Sequence, residues 1–243
     1  MVREALRRVL LFLFRVLTRL EVVGEENLPA TGGCLLAANH LSRLDPPLVF
    51  CLLKRKDSTG LIARKYKKYP VFNWIIEGAQ GIWLDRDNPD FGALRTAVKY
   101  LRAGGMIGIA PEGTRSSTGG LMQPKPGVAF LAVKADVPIV PVAISGTEET
   151  MRALARFRRA PILVEYGQPF RVGNGGGQVQ ERSGDKDAVL QQAADEIMCQ
   201  IARLLPAKYW GVYADHPRLK ELLHPNGQKD PSRASSLPVE DVF

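Results

Sequence analysis

Short apolar runs alternate with stretches of helical period along most of this chain. Strand-like runs fall at 19–23 (RLEVV), 34–38 (CLLAA), 61–63 (LIA), 80–84 (QGIWL), 107–110 (IGIA), 138–144 (PIVPVAI) and 161–166 (PILVEY). Helical patterns lie between them at about 46–54, 70–77, 90–103, 127–135 and 147–157, and another is predicted over about 187–205. Strands that are apolar at nearly every position are buried on both faces. The alternation therefore predicts an α/β fold, a largely parallel mixed sheet of about seven strands flanked by helices. Pro138 and Pro141 suit a central strand poorly, which marks 138–144 as an edge, a kink or a functional feature.

The first twenty residues, MVREALRRVLLFLFRVLTRL, carry neither proline nor glycine and read as one helix. Wound at about 100° per residue, they gather Arg3, Glu4, Arg7, Arg8, Arg15 and Arg19 within an arc of roughly 160°. Val2, Leu6, Val9, Leu10, Phe12, Leu13, Val16, Leu17 and Leu20 occupy the other side, and Leu11 and Phe14 intrude on the cationic one. A cationic face beside a broad apolar one suits a helix lying in a membrane interface, with arginines at anionic headgroups. The same pattern also suits a helix packed on the protein's own core with its arginines solvated. The expected organisation is a membrane-interface helix at 1–20, a main domain at 21–224 and a disordered tail at 225–243. Within the main domain, the Gly-rich stretch 173–186 reads as a linker.

The 243 residues are 45% hydrophobic and 24% charged, which excludes a wholly disordered, collagenous or coiled-coil chain. Lys and Arg exceed Asp and Glu by 33 to 25, so nucleic acid, a membrane surface or an anionic substrate is the expected kind of partner. No apolar stretch reaches the roughly 18 residues needed to span a bilayer. Cys34, Cys51 and Cys199 each sit in an apolar run and read as buried thiols of a reducing compartment. The basic runs Lys54–Lys56, Arg64–Lys68 and Arg152–Arg159 suit lipid or donor phosphates, nucleic acid, or plain solvent. Tyr209, Trp210 and Tyr213 suit either a membrane interface or the core.

Histidine is scarce, and His40 stands out because it follows the apolar run CLLAAN at the carboxyl end of a strand, where open α/β sheets place their sites. Asp45 lies five residues on. If the chain turns there, Asp45 can fix the tautomer of His40 and leave its other ring nitrogen as a base. Asp45 before Pro46 is equally a good helix start, with the carboxylate as N-cap. IGIAPEGTRSS places Glu112, Gly113, Thr114 and Arg115 after another short strand: a close-approach glycine, a hydroxyl and a guanidinium suited to phosphate. GIWLDRD adds Arg86 as a second phosphate ligand or a partner of its flanking aspartates. There is no metal-binding spacing, Walker A loop or G-x-S-x-G elbow.

Taken in order, these segments resemble the glycerolipid acyltransferase family typified by 1-acylglycerol-3-phosphate acyltransferase. Asn39, His40 and Asp45 match its first signature, Gly81 through Arg86 its second, and Pro111 through Arg115 with Lys125 and Gly127 its third. VPIVPVAI with Pro141 matches its fourth. Ala110 stands where the family often has an aromatic residue, and Arg43 where many members have an aromatic or apolar one. The resemblance implies a general base, His40, oriented by Asp45. It implies an acceptor phosphate held by Arg86, Glu112, Gly113, Thr114, Arg115 and Lys125. It implies an acyl-CoA or acyl-carrier protein as donor substrate, no resident cofactor, and phosphatidate as product from lysophosphatidate at the cytoplasmic face of a membrane. Nucleic acid is not an expected partner. The alternatives are another acceptor (glycerol 3-phosphate or another lyso-lipid), or a non-catalytic membrane- or nucleic-acid-binding protein.

Overall fold

The protein is described from a computed structural model, which covers residues 2–69, 73, 76–77, 81–85, 90–172 and 186–224. The glycine-rich stretch at 173–185, the tail from 225 and Arg86 lie outside the described residues, as does most of the helix predicted at 70–77. Helix α1 (Val2–Leu17) leads directly into β1 (Thr18–Val23), followed by β2 (Cys34–Ala38), α2 (Asp45–Leu52), β3 (Ser58–Ala63) and β4 (Ile82–Leu84). Then come α3 (Phe91–Arg102), β5 (Met106–Ile109), α4 (Gly127–Ala135), β6 (Ile139–Ser145), α5 (Thr150–Ala155) and β7 (Ala160–Tyr166). Helices α6 (Lys186–Ala202) and α7 (Pro217–Leu223) are the last among the described residues; α7 carried no sequence expectation.

The strands form one seven-stranded sheet in the order β1-β7-β6-β2-β5-β3-β4. All neighbours are parallel except β6 and β7, so the sheet is mixed and largely parallel. Successive residues of β2 and β6 serve opposite faces, as the two-residue period of a strand requires. Leu35, Ala37, Ile139 and Ala143 pack under α3, α4 and α6. Cys34, Leu36, Val140, Val142 and Ile144 pack under α1 and α2. All three cysteines are buried and unpaired.

Pro141 occupies an interior strand, so of the three readings open for 138–144 the edge is excluded. The reason it fits there lies in the partner. Regular β6–β7 pairing stops at Val142–Tyr166 and resumes only at the Ile139–Phe170 bridge, with Gly167 donating to the Pro141 carbonyl across the gap. The missing proline N–H thus falls where the ladder is already interrupted.

Helix α1 ends at Leu17 rather than near residue 20, and its broad apolar arc is not the face that packs on the core. The intruders Leu11 and Phe14, with Leu10, are the residues that pack on the core. Arg3 and Arg7 point inward: Arg3 donates to Ser58 Oγ (2.6 Å), and Arg7 to the Cys51 carbonyl at the end of α2 (3.1 Å). What remains outside is the broad apolar arc of Val9, Phe12, Leu13, Val16 and Leu17. Tyr209 and Tyr213 are buried in the core and Trp210 packs against it, so the aromatic segment is internal.

Candidate active site

Parallel strands that run together end together. The carboxyl ends of β2, β3, β5 and β6 deliver His40, the Arg64–Lys68 turn, Pro111–Arg115 and Gly146–Thr147 to one rim of the sheet. The transition out of β2 is made by Asn39, which is 1% exposed. Its side-chain amide donates to the Ile144 carbonyl and accepts the Ile144 N–H, both at 2.8 Å. The amide thereby extends the β2–β6 ladder past Ala38 while the main chain turns away to present His40.

His40 is gripped on both sides of its peptide. Its N–H donates to Glu112 Oε1 (3.3 Å), and its carbonyl accepts the Ser116 N–H (2.8 Å). Its Nδ1 lies 3.0 Å from Asp45 Oδ2, and the imidazole keeps 17% of its surface exposed while Asp45 keeps 4%. The same Asp45 oxygen accepts the Leu41 and Ser42 N–H groups, each at 2.7 Å, and Oδ1 accepts the Thr147 hydroxyl at 2.5 Å. Four donors around one buried carboxylate define its pose from three directions. With Nδ1–H donated to Asp45, Nε2 is left as the free basic nitrogen.

Asp45 is not the N-cap of α2. Leu44 takes that position without a side-chain cap, and Asp45 is the first helical residue. Its carboxylate is instead turned back onto the 40–42 turn, where three N–H groups converge.

The Pro111–Arg115 block divides in two. Glu112 points inward, 2% exposed, and joins His40 N–H to the Met122 N–H (3.2 Å), so it ties two loops together rather than opening to solvent. Burial pushes its carboxyl up to about 7, with the nearby Asp45 adding to the rise and the two N–H bonds opposing it. Gly113, Thr114, Arg115 and Lys125 form the outer half. Gly113 has φ +70°, and a Cβ there would stand 2.9 Å from Lys125 Cδ, so glycine both permits the turn and leaves room for the lysine chain. Thr114, Arg115 and Lys125 are exposed, and the Lys125 N–H donates to the Pro111 carbonyl (2.9 Å). Ser116 fixes the following loop by donating to the Gly120 carbonyl (2.7 Å) and accepting the Gly119 N–H (3.1 Å).

The basic runs separate as well. Arg55 is a structural residue, bonded to Asp57 and to the Pro29 and Gly104 carbonyls. Lys65, Lys67 and Lys68 are exposed at the carboxyl end of β3, with Lys65 over Tyr66 and Lys68 over Tyr69. Sequence reasoning passed over Thr147 and the bridging role of Asn39. Thr147 sits in SGT, just past an apolar strand, so the rule that selected His40 would have found it. Nothing local in the sequence signals that Asn39 faces Ile144.

Residues 19–145, just over half of the 243, match the family model described as Acyltransferase. The 1-acyl-sn-glycerol-3-phosphate acyltransferase of Cocos nucifera is 33% identical over 139 residues, covering 55% of this chain and 44% of that protein. The enzyme of the same name from Bacillus subtilis is 26% identical over 163 residues, covering 62% and 73%. The chain spans about half the length of the first curated relatives it matches. The crystal structure of the 1-acyl-sn-glycerophosphate acyltransferase PlsC from Thermotoga maritima superposes with a TM-score of 0.60 at 25% identity, over 81% of this chain and 76% of that one. The matched segment includes β2, β5 and β6, whose ends bring His40, Asp45, Glu112 and the Gly113–Arg115 turn together, and on that match the chain belongs to the Acyltransferase family.

Proposed function

We propose that this protein is an O-acyltransferase that moves a fatty acyl group from a thioester donor, acyl-CoA or acyl-carrier protein, to the sn-2 hydroxyl of 1-acylglycerol 3-phosphate, giving phosphatidate. The observation that carries this reading is the His40–Asp45 pair, a half-open base held by a buried carboxylate at the rim shared with Gly113–Arg115. Nε2 of His40 takes the proton of the acceptor hydroxyl as its oxygen attacks the thioester carbonyl. The carbon–sulfur bond then breaks, and the departing thiolate takes the proton back from His40 to leave as the free thiol, which restores the neutral base. No acyl-enzyme is needed. Asp45 keeps the imidazole in place and stabilises its charged form, and a base so positioned contributes roughly 10²–10⁴-fold.

The outer half of the block, Gly113, Thr114, Arg115 and Lys125, receives the acceptor phosphate, joined in this reading by Arg86. Fixing that phosphate fixes the hydroxyl beside the base, the proximity part of the acceleration. Glu112 serves as a positioning residue, since its carboxylate is committed to His40 and Met122. The acceptor is a bilayer lipid, and no helix of the described residues is long and apolar enough to cross a membrane. The outward arc of α1 supplies the alternative: Phe12 is 64% and Val9 56% exposed, flanked by exposed Arg8, Arg15 and Arg19. A helix of that kind seats in the interface with its apolar side at the acyl boundary. The cytoplasmic face suits both the soluble donor and three unpaired thiols.

The test is transfer of labelled acyl groups from acyl-CoA, and in parallel from acyl-carrier protein, to lysophosphatidate in detergent micelles. Wild type should form phosphatidate, and His40→Ala should lose at least about 10²-fold in turnover with an unchanged melting temperature. Retained turnover in His40→Ala would overturn the mechanism. Turnover only with a non-phosphorylated lyso-lipid would overturn the choice of acceptor.

A further inference from the structure

The turn between α5 and β7 holds an aromatic ring where the backbone favours glycine. Arg158 N–H donates to the Ala153 carbonyl (2.9 Å) and Phe157 N–H to the Leu154 carbonyl (3.0 Å), the paired bonds that close a helix with a left-handed residue. That residue is Phe157, at φ +56° and 102% exposed. A bulky side chain is disfavoured in this backbone region and gains nothing there from the protein itself. Met151, on α5, is 68% exposed. Arg156 and Arg158 flank the phenylalanine and are exposed, and Arg152 is exposed with Glu149 as an ion-pair partner at 3.3 Å.

Topology places this turn beside the site. β7 runs antiparallel to β6, pairing Leu163 with Ser145, and parallel to β1, pairing Ala160 with Thr18. The starts of β7 and β1 therefore lie at the same end of the sheet as the end of β6, where Thr147 meets Asp45. Arg159 fastens the turn to the α1–β1 junction by donating to the Arg15 and Thr18 carbonyls. The carboxyl end of the α1 apolar arc, at Val16 and Leu17, thus shares one end of the molecule with the Phe157 turn and His40, while Arg3 ties the start of α1 to the opposite end at Ser58.

We infer that the Met151–Arg158 segment is a second point of insertion into an anionic lipid bilayer, separate from α1, with Phe157 and Met151 entering the interface and Arg156 and Arg158 meeting headgroup phosphates. The two contacts together orient the molecule with its catalytic rim against the membrane, so that an acceptor reaches His40 without leaving the bilayer. The inference rests on the reading of the acceptor as a bilayer lipid. The charge supports this occupant, since the segment carries three exposed arginines around its apolar tip, while the carboxylates that precede it, Glu149 and Glu148, are bonded to Arg152 and to Tyr209.

The test compares wild type, Phe157→Gly and Phe12→Asp in sedimentation with phosphatidylglycerol-containing vesicles and with pure phosphatidylcholine vesicles. Phe157→Gly relieves the left-handed backbone, so it should leave melting temperature unchanged or raised and turnover in micelles unchanged. Its affinity for anionic vesicles should fall on the order of tenfold, the loss expected for one interfacial aromatic. Phe157→Cys, labelled with an environment-sensitive fluorophore beside three fully buried native thiols, should shift to the blue on anionic vesicles and be quenched by lipids carrying a doxyl group. Vesicle affinity unchanged in Phe157→Gly, with an unshifted label, overturns the proposal. If Phe12→Asp alone loses affinity, the reading of α1 stands without it. Loss of binding to an acidic acyl-carrier protein with vesicle binding intact would make the turn a protein-docking element and likewise overturn it.

Discussion

Around His40 the chain buries two carboxylates, while at Phe157 it leaves an aromatic ring in solvent. Both arrangements run against the ordinary partition of side chains, and they sit at the same end of the sheet. The difference lies in who satisfies them. Asp45 and Glu112 are surrounded by donors from the protein: three N–H groups or hydroxyls beside His40 for one, two N–H groups for the other. Their burial thus holds His40 in one pose. Phe157 has no such internal account, and neither do Phe12 and Val9 on α1. On the proposed function, a rigid polar pocket and an unsatisfied apolar rim suit the two sides of an acyl transfer to a bilayer lipid.

Asp45→Asn is the sharpest way to break the polar half. The amide oxygen can keep the bonds from His40, Leu41 and Ser42, and the NH₂ can donate to Thr147, so the fold should survive while the negative charge is lost. Turnover should fall by about 10²–10³-fold with little change in melting temperature. Equal loss of structure and activity would reduce Asp45 to a scaffold residue.

Glu112→Gln tests whether burial itself is felt. With its folded pKa raised from 4.5 to about 7, Glu112 holds a proton in the folded state that the unfolded chain has released. Its contribution to stability is complete below about pH 4.5 and is lost as pH rises to about 7, on the order of 3 kcal/mol. Denaturant titrations across that window should show stability falling with pH in wild type and a flatter profile in Glu112→Gln.

Thr147→Val removes one donor from the Asp45 carboxylate. The expected cost is about 1.5–3 kcal/mol of stability and roughly a tenfold loss in kcat, with KM for the acceptor little changed. A pure stability effect, with kcat intact, would detach Thr147 from the positioning of His40. The smallest effect belongs to the apolar half. Phe157→Gly should raise stability by about 0.5 kcal/mol, because relief of the left-handed strain outweighs the added freedom of the unfolded chain. A decrease would mean that the ring makes a stabilising contact within the protein.

Much of the α/β frame could be read from the chain because a parallel sheet writes itself as uninterrupted apolar runs. Leu35, Leu36 and Ala37 must be buried whichever neighbours they find, and the expected runs overlap all seven strands. His40 was legible for the same reason, being polar at the end of such a run. Pairing partners were less accessible: the period of two gives the faces of β6 but not the gap opposite Pro141. The direction of α1 was also open: its apolar arc suited a membrane interface or the core, and burial fell on Leu11 and Phe14, because Arg3 and Arg7 found carbonyls and a hydroxyl at the end of α2 and the start of β3.

The layer architecture and the His40–Asp45 candidate thus follow from local period and short spacing along the chain. That Asp45 turns from its helix to His40, that Thr147 and Asn39 bridge to partners across the β2–β6 boundary, and that Glu112 faces inward are set by tertiary contacts. Such contacts also bring the Phe157 turn alongside α1. These outcomes depend on contacts between residues as much as 144 positions apart, as between Arg15 and Arg159, which no local pattern encodes because the partner's position is set by the packing of the whole sheet.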